Sequence, residues 1–203
     1  MILSDSEQAI LAGTSGTVGD RMAMEVVVET ARMLGADRLV EIHSSHIDGC
    51  LYHGDSGALY CEKLVDSGAR VKVPATTNVG ALNLLKPDQC RLPDEQRKMA
   101  FRLMVAHERM GCTPSWTCAP YQAGARPLLG QQVAWGESNA VAFTNTVLGA
   151  RTNRYGDFTG GLSQSIKNSI DCTVDKIMDS EDLGSYLAVF DLVEYDGVDL
   201  RSL

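Results

Sequence analysis

The sequence predicts an α/β fold with a largely parallel sheet and flanking helices. Two observations predict it. Short apolar segments rich in β-branched residues alternate with longer segments of helical periodicity. A polar loop follows each short segment, so each helix returns the chain to the same edge of the sheet, which makes neighbouring strands parallel. The composition, 44% hydrophobic and 22% charged over 203 residues, is that of an ordinary globular domain.

The predicted elements begin with two helices and a strand. Ser4 and Glu7 have the spacing of a capping box, and Gly13 ends the short helix that follows. A second helix is predicted over 18–34 and a first strand over 38–42. The same alternation then continues: a helix over 55–65, a strand over 70–74, a helix over 93–110, a strand over 113–117, a helix over 137–148 and an amphipathic helix over 162–178.

The alternation stops near Gly160 and Gly161. We therefore predict an α/β domain over 1–158 and a divergent tail over 159–203. The formal net charge of −8 leaves no basic face for a nucleic-acid partner. The chain begins without a secretory pattern and contains no long apolar run, so we expect a cytoplasmic protein without a membrane partner.

Three polar loops, 43–54, 75–80 and 118–136, follow predicted strands. Ligands in such sheets bind beyond the carboxyl ends of the strands, so the three loops are expected to converge on one pocket. All three are rich in groups that can do chemistry. This coincidence predicts an enzyme.

The first loop contains His43, His46 and His53. Histidine titrates near neutral pH and serves as a base, an acid or a metal ligand, although these rings could also cap backbone groups. The second loop offers hydroxyls and the Asn78 amide for binding a carboxylate or phosphate, or for capping a helix. A G-x-S-x-G elbow is absent, which disfavours a serine hydrolase.

Six cysteines in a cytoplasmic chain suggest free thiols, metal ligands or catalytic groups rather than disulfides. Cys118 lies at the end of a predicted strand as a nucleophile, a cluster ligand or a buried thiol. Glu137 and Ser138 stand at a helix start, as cap or as ligand. Arg151 and Arg154 follow a helix exit and are fit to clamp a carboxylate.

Four strings together resemble the large-subunit region of the aconitase X family: HSSHIDGCLYHGDSG, VKVPATTNVGALNLL, ERMGCTPSWTCAPY and GQQVAWGESNAVAFTNTVLGARTNRYGDF. They occur in the family's order and cover about residues 1–158. The first string looks closer to the cis-3-hydroxy-L-proline dehydratase branch than to the mevalonate 5-phosphate dehydratase branch.

The resemblance implies an aconitase-like α/β fold, an iron–sulfur cluster held by three cysteines, and a small swivelling domain or subunit that closes the site. It also implies a hydro-lyase that removes water from a small hydroxy acid. The expected reaction converts cis-3-hydroxy-L-proline to a pyrroline-2-carboxylate, with an exposed iron acting as a Lewis acid on the hydroxyl.

By motif match, Cys118 is the first cluster ligand. The candidate catalytic residues are Ser44, His46 and Glu137. The candidate substrate-binding residues are Gly49, Cys50, Leu51, Asn78, Val79, Ser138, Arg151 and Arg154.

Family members are considerably longer, and their other two cluster cysteines lie beyond the matched stretch. We therefore expect the chain to be incomplete relative to the family and its other cluster ligands to lie outside it. Three alternatives stay open: a non-catalytic binding or regulatory module, a mevalonate 5-phosphate dehydratase-like activity, and a cysteine-nucleophile reaction.

Overall fold

The computed structural model describes residues 1–47, 52, 54–78, 81–153, 162–163 and 166–170. The chain divides into two units, Met1–Asp171 and Cys172–Leu203. The second unit lies outside the described residues, and so does most of the predicted tail. The predicted domain limit at residue 158 stays a prediction.

Helices and strands alternate along the described chain as predicted. The helices are α1 (Asp5–Leu11), α2 (Val18–Met33), α3 (Asp55–Asp66), α4 (Asp94–Met110) and α5 (Ser138–Phe143), which continues as a π-helix (Thr144–Leu148). The strands are β1 (Leu39–Glu41), β2 (Ser45–Ile47), β3 (Ala75–Thr77), β4 (Thr113–Pro114), β5 (Ala134–Trp135) and β6 (Asn168–Ile170). Short 3-10 turns lie at Pro87–Gln89 and Pro120–Gln122.

The predicted parallel sheet is confirmed. It has the strand order β4-β3-β2-β5, and each described neighbour pair in it is parallel. The connections from β2 to β3 and from β3 to β4 contain α3 and α4, the crossover helices that parallel pairing requires. All carboxyl ends of these strands therefore lie at one edge of the sheet.

The predicted strand over 38–42 exists as β1, but its predicted place in the parallel sheet is wrong. It pairs antiparallel with β6 in a separate two-stranded sheet. The strand that enters the parallel sheet is β2, inside the predicted loop 43–54. Its polar residues suggested a loop. Ser45 is nevertheless buried, and its hydroxyl is satisfied there because it donates to the carbonyl of Ala134 at 3.0 Å.

The predicted strand over 70–74 is also wrong, because the sheet strand is β3, directly after Pro74. Proline has no N–H to donate to a ladder, but its carbonyl accepts from the N–H of Ser45 at 2.9 Å and so starts the pairing. The residues before it form the connection from α3, where Val71 N–H donates to the Met110 carbonyl at 2.9 Å.

The predicted helix over 162–178 is wrong over Asn168–Ile170, which form β6. Pairing with β1 outweighs the helical periodicity of this segment. The rest of that prediction, from residue 171 onward, lies outside the described residues. The two-residue strand β5 was not predicted, because so short a segment has no periodicity to detect.

Helix α2 forms one wall of the main core and packs against α3. Its buried face includes Met24, Val27 and Val28, each at most 1% exposed. A glycine permits the close approach of the two helices. A Cβ at Gly19 would lie 2.7 Å from both the Ala69 nitrogen and the Leu64 carbonyl oxygen.

Gly19→Ala is therefore expected to destabilise the protein by about 1–3 kcal/mol, because the methyl group meets rigid backbone rather than a flexible side chain. Gly57→Ala in α3 is the matched control, since nothing lies within 4 Å of its Cβ position. Alanine there should stabilise the helix by about 0.5–1 kcal/mol. Urea unfolding of both variants checks the pair, and equal unfolding free energies would refute the close approach.

An ion pair joins α3 to α4. Arg102 donates two hydrogen bonds to Glu62, from Nε at 2.8 Å and from Nη2 at 2.6 Å. This contact lowers the pKa of Glu62 below its ordinary value of 4.5, despite an opposing effect of desolvation. A carboxyl whose folded pKa is lowered stabilises the protein above its unfolded pKa and loses that contribution as the pH falls through the folded pKa.

Glu62→Gln should therefore remove part of the loss of stability that the wild type shows below pH 4.5. Chemical denaturation between pH 7 and pH 3 measures it. Glu29→Gln is the control, because Glu29 is 64% exposed in its pair with Arg32 and such pairs contribute little. An acid profile of Glu62→Gln identical to wild type would contradict the expectation.

No helix within the described part of the chain combines the length and the apolar character that a bilayer crossing requires.

Candidate active site

The candidate site lies at the carboxyl edge of the parallel sheet. The register aligns His46 of β2 with Thr76 of β3 on one side and with Trp135 of β5 on the other. Aligned residues of parallel strands share a face of the sheet, and residues two positions later share it too. Asn78 and Glu137 are those later residues, so they follow this row at the end of the sheet where ligands bind.

His46 is completely buried between two polar side chains. Its Nε2 lies 3.0 Å from Glu137 Oε1, and its Nδ1 lies 2.8 Å from the Thr76 hydroxyl. A carboxylate only accepts, so Nε2 carries a hydrogen, and in the neutral ring Nδ1 accepts from Thr76. The Trp135 ring packs edge-on at 6.1 Å between centroids. The imidazole is thus fixed in position and tautomer.

Glu137 directs its carboxylate into the site rather than onto the helix. It occupies the N-cap position of α5, yet its side chain makes no capping hydrogen bond. Its Oε1 accepts from His46 and from the amide nitrogen of Asn78. The structure therefore decides against the capping alternative. The carboxylate retains 11% exposure, so it is the acidic group of this network that can reach a bound molecule.

Asn78 connects the carboxylate to the thiol. Its amide nitrogen also donates to the Cys118 sulfur at 3.2 Å, and the residue is 1% exposed. Its backbone N–H donates to the Ile47 carbonyl at 3.1 Å, which extends the pairing of β2 and β3 by one residue. This backbone bond holds the amide at the sheet edge.

Cys118 is exposed, and its sulfur lies at the polar network. The Asn139 side chain fixes its backbone by donating to the Cys118 carbonyl at 2.7 Å. Cys61 and Cys112 are buried instead, and burial raises the pKa of the Cys61 thiol to about 12. Cys90 is half-buried and donates to the Ala81 carbonyl at 3.5 Å. The alternative of a buried Cys118 thiol is therefore wrong.

The other predicted site residues lie around or outside this network. Ser44 is half-buried and lies just before β2, at the amino end of the strand rather than at its carboxyl end, where the site lies. Its carbonyl accepts from Ala134 N–H at 2.9 Å. Ser138 is exposed at the first position of α5, and Arg151 is exposed after the π-helix. The following predicted residues lie outside the described part: Gly49, Cys50, Leu51, Val79 and Arg154.

Two residues that shape the site received no role from the sequence: Trp135 and Asn139. Each lies one or two positions from a residue that did receive one. The Thr76 hydroxyl was expected to bind a carboxylate or phosphate or to cap a helix, and it lies at His46 Nδ1 instead. Period-2 spacing back from Asn78 and Glu137 points to Thr76 and Trp135, but only once both segments are known to be strands. Asn139 had no comparable signal, because its partner is a backbone carbonyl.

No group of three or more His, Cys, Asp or Glu side chains within the described ranges is arranged to hold a metal ion. Cys118 is the thiol that the described residues place at the polar network.

Comparison with known proteins shows which family the chain resembles. The family model described as the aconitase X first domain matches residues 1–166. Cis-3-hydroxy-L-proline dehydratase of Pseudomonas aeruginosa is 44% identical over 152 residues, which are 75% of this chain and 26% of that protein. The phosphomevalonate dehydratase large subunit of Aeropyrum pernix is 39% identical over 167 residues, 77% of this chain and 41% of that protein.

The fold is shared with a solved structure, holo-form aconitase X of Thermococcus kodakaraensis. The TM-score is 0.74 at 32% identity, and the likeness covers 86% of this chain and 43% of the other. The chain spans 26% to 41% of the length of the two curated relatives above. The family match over most of the sequence and the likeness in fold show that the chain belongs to the aconitase X family, with its first domain over residues 1–166.

Proposed function

We propose that this chain contributes to a hydro-lyase that removes water from a small hydroxy acid. The observation that carries the proposal is the Glu137 carboxylate, which His46 and Asn78 hold in place beside the exposed thiol of Cys118. A fixed carboxylate next to a candidate metal ligand is the arrangement that proton transfer coupled to loss of hydroxide needs.

The proposed substrate is cis-3-hydroxy-L-proline, because relatives of 44% and 40% identity are named dehydratases of this compound. Dehydration breaks the C2–H and C3–O bonds. The C2–H electron pair becomes the C2=C3 π bond, and the C3–O pair leaves with the hydroxyl. The released proton and the hydroxide together make water, and a pyrroline-2-carboxylate remains.

Glu137 is proposed to move the proton, since its carboxylate reaches the edge of the site. His46 is fully buried and is proposed as a positioning residue, which orients Glu137 by donating a hydrogen bond from Nε2–H. Asn78 is proposed to orient both Glu137 and Cys118. Arg151, Arg154 and Ser138, together with Gly49, Cys50, Leu51 and Val79, stay predictions as substrate contacts, and Ser44 as a catalytic group.

An iron–sulfur cluster fits this site in part. Cluster ligands are thiolates, and Cys118 is an exposed thiol at the network. When bound, the cluster would supply a Lewis-acidic iron for the departing hydroxyl. The described residues offer it one ligand, so we propose that other ligands come from outside them. The relatives named "large subunit" support a small partner subunit as a further component.

To test the proposal, the anaerobically purified protein, with the segments expected to supply the other cluster ligands present, is incubated with cis-3-hydroxy-L-proline, and mass spectrometry follows the loss of one water. Formation of pyrroline-2-carboxylate supports it. Conversion of 5-phosphomevalonate instead would favour the activity named for relatives of 35% to 39% identity. Absence of both products, with the expected small subunit present, would favour a non-catalytic binding module.

A further inference from the structure

Trp116 combines two unfavourable features immediately before the candidate site. Its φ of 53° lies in the left-handed region, where a bulky non-glycine residue is an outlier. Its side chain is also 45% exposed, so burial does not offset the backbone strain. Strained residues of this kind persist where the surroundings hold them, and they cluster at ligand sites.

Hydrogen bonds on both sides hold the strained conformation. Before Trp116, the backbone N–H and the hydroxyl of Ser115 donate to the Thr77 carbonyl at 2.8 Å and 3.2 Å. After it, the Thr117 hydroxyl accepts from Ala119 N–H at 3.0 Å. The backbone around Trp116 is thus held on one side by the bonds from Ser115 to Thr77 of β3 and on the other by the turn at Thr117, next to Cys118.

The position of Trp116 relative to the thiol limits what it can contact. Cys118 lies two positions after Trp116, so their Cα atoms lie at most about 7 Å apart. The network around that thiol is polar, formed by Asn78, Glu137 and His46. Among the described residues, the side chains of this network are polar and offer hydrogen bonds to carboxyl, hydroxyl and ammonium groups rather than an apolar face for a saturated ring.

We infer that Trp116 is a specificity-determining residue that contacts the ring face and ring ammonium of a cyclic amino acid held at the Cys118–Glu137 network. The inference rests on the proposed function. Tryptophan is the best partner for a cation over its ring face, and its indole also covers the apolar carbons of a five-membered ring. An acyclic hydroxy amino acid has the same polar groups but lacks this ring face, so Trp116 discriminates against it.

Acrylamide quenching of tryptophan fluorescence in the full chain reports this contact directly. The only other tryptophan, Trp135, is 1% exposed, so the quenchable signal belongs to Trp116. We expect cis-3-hydroxy-L-proline to protect Trp116 from the quencher and L-serine at the same concentration to leave it accessible. Equal protection by both ligands would overturn ring recognition.

Binding of cis-3-hydroxy-L-proline to variants, measured by calorimetry, gives the second readout. Trp116→Gly should raise Kd by about 3- to 30-fold, the range of a cation–π contact. Its melting temperature should equal or exceed that of wild type, because glycine accepts a φ of 53° without strain. Trp116→Phe should retain most of the affinity. Phe101→Ala removes a similarly exposed aromatic ring, 50% exposed on α4, and should leave Kd unchanged.

The outcomes separate the two proposals. If wild type and Trp116→Gly bind with equal Kd, the inference on Trp116 is rejected and the proposed function stands. If Trp116→Gly melts well below wild type, Trp116 is a structural residue and the inference is again rejected. If wild type binds neither cis-3-hydroxy-L-proline nor L-serine, the proposed function and the inference fail together.

Discussion

Glu137→Gln is expected to lower the rate of cis-3-hydroxy-L-proline dehydration by about 10²- to 10⁴-fold, the usual contribution of a positioned proton-transfer group. Glutamine has nearly the same shape, and its amide oxygen can accept from His46 Nε2 and from the Asn78 amide as Oε1 does. It cannot take up a proton. The variant therefore removes proton transfer while the hydrogen bonds from His46 and Asn78 stay in place.

The measurement is kcat for product formation, with thermal melting alongside. Glu108→Gln is the matched control, since Glu108 is an exposed carboxylate on α4 outside the network. The control should keep the wild-type rate, and both variants should melt near the wild-type temperature. A Glu137→Gln rate within threefold of wild type would exclude this carboxylate as the proton-transfer group.

Trp135→Ala is expected to reduce the free energy of unfolding by about 3–5 kcal/mol, the range for removal of a large buried aromatic side chain. Trp135 is 1% exposed and packs with Val133 and Ala140 in one cluster of the core. Its ring also contacts the His46 imidazole edge-on. The substitution should therefore disturb the position of His46 in the site as well as the packing of the core.

Trp135→Phe tests whether the buried volume of the ring or the indole N–H accounts for the contribution of Trp135 to the free energy of unfolding. Among the described residues, the Trp135 Nε1 atom has no hydrogen-bond partner, so its removal leaves no broken bond. Phenylalanine should therefore cost less than half as much stability as alanine in urea unfolding. Equal costs for the two variants would show that something other than buried volume holds Trp135 in place.

The elements with strong local signals were predictable from the sequence. Apolar periodicity gave α2 and α4 within about one residue at each end, and the Ser4–Glu7 capping box is present as predicted. The apolar side chains of an amphipathic helix recur at every turn, so the segment itself shows the helical pattern. Such signals need no knowledge of distant partners.

The sheet strands were predicted less well, because their identity depends on those distant partners. The Ser45-His46-Ile47 segment has polar residues that resemble a loop, and only the contacts with Ala134, Thr76 and Glu137 make it a buried strand. The reverse happened at 70–74, where β-branched residues suggested a strand but Pro74 delays the ladder until β3. Tertiary pairing outweighs local preference in both cases.

Topology predicted where the candidate site lies, and the resemblance to the family supplied Cys118 as a cluster ligand and Asn78 and Glu137 as substrate contacts. The rule that ligands bind at the carboxyl ends of parallel strands predicted that the three loops lie together, and His46, Asn78, Cys118 and Glu137 are in contact at that edge of the sheet. The rule could not distinguish a cap from a ligand at Glu137, because both need a carboxylate at a helix start. Only the direction of the side chain separates them.

The iron and acid-labile sulfide content of anaerobically purified protein that includes the segments expected to supply the other cluster ligands, compared between wild type and Cys118→Ser, tests the central claim most directly. Cys118 is exposed at the network, so serine should leave the melting temperature nearly unchanged. Cys90→Ser is the control. The Cys90 thiol is half-buried, and among the described contacts it donates a hydrogen bond only to a nearby backbone carbonyl. We predict that wild type and Cys90→Ser bind iron and that Cys118→Ser loses it. Equal iron in Cys118→Ser and wild type would contradict a cluster at this site.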